Sequence, residues 1–315
     1  MKKLALLLVL SVVLISTTYL SDHKSITRDE VETIVSFLAS DEIEGRDSGS
    51  IGIDKAATFI ESYFNDLGVK PYYESYRDSF KIKEIDAFNI IGVLEGNDSK
   101  LKDEVVLLGA HYDHIGFRAK PVNGDAIGNG ANDNASGTAT VMTLAKHFAN
   151  SKSNKRTLVF ALFSGEEMGL RGSKHLAERL KSENLNLYTM INFEMTGVPF
   201  KDGRDYDLML TGFDLSNMAE KMNVYAGSKL IGKSDVAVKY NLFKRSDNYP
   251  FYEQFKLPSQ TISSCDLTNF DFYHHVDDES DKLDYAHMAS VINKLIPAIE
   301  GVSNSEIREI KMKDE

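Results

Sequence analysis

The apolar positions of this 315-residue chain change their period several times. Between residues 27 and 68 they recur at helical spacing, through Val31, Ile34, Val35 and Leu38, then through Ala56, Phe59, Ile60, Tyr63 and Phe64. Thr27 stands three residues before Glu30, the spacing of a capping box, and so starts the first helix. The polar stretch DEIEGRDSGS divides the two helices, and Gly68 stops the second.

The pattern then turns strand-like. AFNIIGVLEG (87–96) and EVVLLGAHYD (104–113) are rich in β-branched and apolar residues. A helix follows over roughly 135–148. RTLVFALFS (156–164) is a near-continuous apolar run, which fits a strand covered on both faces. The spacing then predicts a helix over 172–180, the strand LYTMINFEM (187–195), a strand at DLMLTG, a helix over 214–226, a strand near PSQTISS and a last helix over 283–299. Strands alternating with helices predict an α/β fold, with a central, mostly parallel sheet between two helical layers. No internal repeat, low-complexity tract or Pro/Gly-rich linker divides it, so residues 21–315 read as a single domain.

Apolar residues make up 42% and charged residues 26%, which fits a soluble globular protein. The net charge of −11 argues against nucleic-acid binding, because such a surface repels phosphate. Cys265 is the only cysteine, so an internal disulfide is excluded, and a small buried side chain is its simplest role. Lys2 and Lys3 precede an apolar run from Leu4 to Ile15 and small polar residues from Ser16 to Thr18. Residues 1–20 therefore read as a signal peptide, with an uncleaved N-terminal anchor as the alternative. The run is short for a membrane span. Secretion or export to a periplasm follows as the expected location.

The acids and histidines gather at the ends of these strands. In open α/β sheets that edge is where ligands bind. In GAHYDH (109–114), His111 and Asp113 share a strand face, and a metal-bound histidine commonly gives its second ring nitrogen to a carboxylate. His114 has no such neighbour and reads as a bystander. In GNGANDNASG (128–137), Asp133 sits at a helix start, where the dipole favours an anion. In SGEEMGLRGS (164–173), Glu166 and Glu167 diverge from adjacent positions. One can hold a cation while the other takes a proton from water. Glu194 interrupts an apolar strand in INFEMTG (191–197), where a carboxylate must be paired or metal-bound. In DFYHHVDDESDKL (271–283), His274 and His275 are both candidate ligands, and Tyr273 can donate to a developing oxyanion. Each segment alone also fits an ordinary turn, cap or ion pair.

Together, in order, the five segments resemble the M28 zinc peptidases, which include bacterial leucine-type aminopeptidases. The resemblance runs from EIEGRDSG to the final helix. It implies the three-layer zinc-exopeptidase fold and two Zn2+ ions. His111 and Glu194 would hold one zinc, Glu167 and His274 the other, with Asp133 bridging them. The family's Y-H-x-P-x-D pattern selects His274 over His275. Glu166 would be the general base, and Asp113 the aspartate beside the first histidine. Many members have Asp where Glu194 stands, and Val276 replaces the pattern's proline. RSDNYPF (245–251) resembles the family's S-D-H-x-x-F stretch, with Asn248 in place of a histidine, and Arg245 joins Tyr273 as a candidate for transition-state support. The implied activity is an aminopeptidase acting on peptides with a free N-terminus. A carboxypeptidase, a one-zinc glutaminyl cyclase on the same fold and a catalytically dead peptide-binding ectodomain are its rivals.

Overall fold

The computed structural model describes residues 25–201 and 203–313. The N-terminal segment read as a signal or anchor lies outside these described residues.

The helices are α1 (Arg28–Leu38), α2 (Ile51–Asp66), α3 (Gly137–Ser151), α4 (Arg171–Ser182), α5 (Met218–Ala226), α6 (Asp235–Lys239), α7 (Asn248–Phe255) and α8 (Tyr285–Asn304). The strands are β1 (Lys70–Pro71), β2 (Arg77–Ile82), β3 (Ile85–Leu94), β4 (Val105–His111), β5 (Gly116–Val122), β6 (Asp125–Gly128), β7 (Thr157–Phe163), β8 (Leu187–Phe193), β9 (Leu208–Leu210), β10 (Ile231–Gly232) and β11 (Ser259–Ser263). Thr27 caps α1 as its spacing requires: its hydroxyl accepts from the Glu30 N–H, and the Glu30 carboxylate accepts in return from the Thr27 N–H. Such a cap contributes about 1 kcal/mol.

One sheet runs in the order β1-β3-β7-β4-β8-β11-β9-β10, with β2 added against β3. Its centre, β7-β4-β8-β11, is parallel, while β3 and β9 pair antiparallel with their inner neighbours. The sheet is thus mixed with a parallel core, as the alternation of elements predicts. Side chains alternate across it. Val106, Leu108 and Ala110 of β4 and Leu158, Phe160 and Leu162 of β7 pack into one apolar layer with α1, α2, α3, α5 and α8. Val105, Leu107, Val159, Ala161 and Phe163 face the other layer, with Leu176 and Leu180 of α4 and Phe251 of α7. Burial on both faces explains why these strands read as unbroken apolar runs.

Several elements escape the hydropathy pattern. β2, of sequence RDSFKI, is a polar outer strand. The β5-β6 hairpin is only partly buried, and α6 and α7 are short. No helix among the described residues is long and apolar enough to cross a membrane.

Candidate metal centre

Three parallel strands end at the same edge of the sheet and deliver the site. β4 ends on His111, β7 leads through Ser164 and Gly165 into Glu166 and Glu167, and β8 ends one residue before Glu194. Glu194 is therefore not inside a strand, as its apolar surroundings suggest, but is the first residue beyond it. Asp133 comes from the turn between Gly130 and α3, where the Asp133–Asn134 peptide is cis. His274 enters from the loop before α8.

These residues converge. His111 Nε2 lies 3.3 Å from Asp133 Oδ1, and His274 Nε2 lies 3.3 Å from Asp133 Oδ2 and 3.0 Å from Glu167 Oε2. His111, Asp133 and Glu194 form one cluster able to hold a cation, and Asp133 and Glu167 share a second with His114. His275 turns away and pairs with Asp277, at 3.3 Å.

The loop carrying Asp133 is clamped from three sides. Asp278, the last residue of the Y-H-x-P-x-D pattern, accepts from the backbone N–H groups of Asn132 (2.7 Å) and Asp133 (3.0 Å). The Asn134 amide donates to the Phe193 carbonyl, and its oxygen accepts from the Gly137 and Met195 N–H groups, each at 3.0 Å. This ties the Asp133 turn to the residues flanking Glu194. Arg46, fully buried, donates to the carbonyls of Leu38, Tyr112 (2.8 Å), Asn129 (2.6 Å) and Gly130 (3.0 Å). Asp278, Asn134 and Arg46 carry no site role in the sequence reading. Only the motif membership of Asp278 and the EGR triplet of Arg46 pointed to them.

Asp113 works differently from the expected pairing. The His111 Nδ1 faces the Asp113 main-chain carbonyl at 3.2 Å, with the carboxylate farther off at 3.6 Å. That carboxylate accepts instead from the Glu166 N–H and from the Ser48 hydroxyl, each at 3.3 Å. Ser48 Oγ in turn accepts the Gly165 N–H at 2.8 Å. Asp113 thereby fixes the turn that aims Glu166. Glu194 accepts from the Ser246 hydroxyl, which Asn192 orients from 2.8 Å.

The electrostatics follow from crowding acids in a dry place. Burial raises the Glu166 carboxyl well above the usual range, with Glu194, Asp247 and Glu167 adding repulsion against the pull of His111. Burial, with Asp133 and Asp247 adding to it, pushes Glu194 up to about 7. On the histidines burial works against charge, but carboxylates outweigh it. His111 is raised well above its ordinary value beside Asp113 and Asp133, and His274 to about 10 beside Asp133 and Glu167. Burial holds the Tyr273 hydroxyl far above its ordinary range, and the nearby carboxylates add to this, so it stays a donor. Burial also pushes the Cys265 thiol up to about 12, which leaves it inert.

Zinc fits this donor set. His111 Nε2, Asp133 Oδ2 and Glu167 Oε1 are buried and lack any hydrogen-bond partner, a cost that a cation among them removes. A mixture of imidazoles and carboxylates suits zinc. Ligation needs neutral imidazole, and the carboxylates around His111 and His274 favour the protonated form of both rings when no cation is bound. Zinc uptake at pH 7 is therefore expected to release protons, and affinity to rise with pH. Calorimetric titrations in two buffers of different ionisation enthalpy check this, and equal heats in both would contradict it.

Beside Glu194 a small pocket opens. Met195, Met209, Leu242, Cys265 and Leu267 supply its apolar walls, with Arg245 and Tyr273 also on its lining. Tyr273 stacks on the His274 ring, with centroids 3.9 Å apart.

The three-layer fold thus gathers carboxylates and histidines at the ends of its parallel strands, a donor set suited to metal ions. The family model for peptidase family M28 matches residues 89–298, and the chain belongs to that family of zinc metallopeptidases. A probable leucine aminopeptidase of Arthroderma otae is 26% identical over 239 residues, which cover 73% of this chain and 59% of the relative. A zinc aminopeptidase from Bacillus subtilis superposes with a TM-score of 0.69 at 15% identity, covering 89% of this chain and 96% of that one. A glutaminyl cyclase from Fimbriiglobus ruber superposes with a TM-score of 0.67 at 20% identity, covering 88% and 97%. The chain spans about half the length of the curated relatives it matches.

Proposed function

We propose that this chain is a di-zinc aminopeptidase that releases N-terminal residues from peptides. One observation carries the reading: two donor clusters share the single carboxylate of Asp133. His111 and Glu194 complete one and Glu167 and His114 the other, with His274 Nε2 3.0 Å from Glu167 Oε2, so the site offers places for two cations. A one-zinc cyclase needs only one. Bound zinc would polarise the scissile carbonyl and make water a stronger acid. Glu166, aimed through Asp113 and raised in basicity chiefly by burial, takes the proton and passes it to the leaving amine. Tyr273, held protonated beside His274, donates to the oxyanion. The cavity next to Glu194 receives the substrate's first side chain, and its methionine and leucine walls favour an apolar one. We read 21–315 as one peptidase domain, exported under the direction of residues 1–20.

The test is a panel of aminoacyl-nitroanilides with and without chelator, beside N-acetylated controls. Cleavage of free substrates alone, abolished by chelator and restored by zinc, is the expected result. Cleavage of the blocked substrates sinks the aminopeptidase reading. Metal analysis separates the rivals: two equivalents per chain are expected, whereas one favours a cyclase and none a binding module.

A further inference from the structure

His114 is not one of the ligands the M28 pattern supplies, yet the structure brings it into the centre. Its side chain is 0% exposed. Its ring lies against the bare α-carbon of Gly130, where a Cβ would fall 2.4 Å from the imidazole and where φ is +56°. Glycine is needed there on both counts. The main-chain N–H of His114 donates to the Arg46 carbonyl at 3.3 Å, which fixes the backbone. So held, His114 Nδ1 lies 3.0 Å from Glu167 Oε1 and 3.8 Å from Asp133 Oδ2.

No hydrogen bond accompanies that approach. Nδ1, Glu167 Oε1 and Asp133 Oδ2 are all buried without a hydrogen-bond partner. A donor and an acceptor point at each other. Two ligands of one cation, each about 2.0–2.2 Å from it, instead stand roughly 3–3.5 Å apart and point at the ion between them. His111 Nε2 stands in this same relation to Asp133 Oδ1, at 3.3 Å and with no hydrogen bond.

We propose that His114 Nδ1 is a further ligand of the cation held by Asp133, Glu167 and His274. This rests on the two-cation reading above. The centre is then lopsided. One cation has two imidazoles and two carboxylates, and the other, held by His111, Asp133 and Glu194, keeps the open position. The first should load more tightly and exchange more slowly.

The experiment is X-ray absorption at the zinc edge on the zinc-loaded full chain, with zinc titrations of the wild type and H114A. The wild type is expected to bind two equivalents and show three imidazoles per zinc pair. H114A should show two and lose at least roughly 10–100-fold in affinity, at one site only. Should H114A fail to fold, the wild-type count decides alone. Two equivalents with only two imidazoles, or a count that H114A leaves unchanged, overturns the assignment of His114 by itself. A wild-type chain that takes up a single equivalent instead sinks the two-cation reading, and this ligand with it.

Discussion

Glu166→Gln is expected to lose nearly all peptide hydrolysis while keeping its full complement of zinc. The substitution preserves shape and removes only the group that accepts a proton. The main-chain contact to Asp113 survives, because it uses the Glu166 N–H rather than the side chain. The carboxylates on either side are untouched: Glu167 projects toward His274 and Glu194 toward Ser246. General base catalysis is worth on the order of 10²–10⁴ in rate. The fall should therefore appear in kcat, with KM and metal content nearly constant. Steady-state kinetics beside metal analysis read both. Turnover at the wild-type rate would remove Glu166 from the mechanism.

The second large effect is expected at Arg46, which braces the loop leading to Asp133. Its guanidinium is fully buried and serves four carbonyls from three separate segments, at Leu38, Tyr112 and Asn129–Gly130. Burial lowers its pKa to about 10, so it remains charged at neutral pH. Arg46→Ala strands those carbonyls in a dry interior and opens a cavity. The loss should be roughly 3–5 kcal/mol, the range seen when one partner of a buried charged network is removed. Arg46→Lys should recover only part of it, since an ammonium cannot reproduce the planar fork. Urea unfolding midpoints measure this. Because Asn129 and Gly130 lead directly into the Asp133 turn, zinc affinity should fall in the same variants. An unchanged midpoint in Arg46→Ala would show that the network contributes nothing.

The contrast between these two residues shows what a sequence displays. His111, Glu166 and Glu194 stand out because strands buried on both faces read as apolar runs, and a charged side chain at the end of such a run needs an explanation. Their order along the chain then matches a family pattern. Arg46, Asn134 and Asp278 do not stand out in this way. Each sits in a polar loop of ordinary composition, and its work is done on main-chain groups tens of residues away. His114 is the clearest case. Its nearest neighbours in sequence offer it nothing, while the carboxylates it faces arrive from positions 133 and 167. The missed elements have a similar cause: β2 is an outer strand that pairs only with β3 and leaves polar residues outside, and α7 is too short to establish a helical period.

The strand order has a further consequence for synthesis. β11, residues 259–263, inserts beside β8, residues 187–193, and joins it to β9. A nascent chain thus makes β8 long before the strand that covers its edge. Until residue 259 has emerged, the run LYTMINF presents unpaired backbone on one side. An apolar, unprotected edge of this kind templates association between chains. The same late segment brings His274 and Asp278. An interrupted chain would therefore be prone to aggregation and would lack part of the candidate metal centre, and a chaperone that shields β8 during translation would guard against the first.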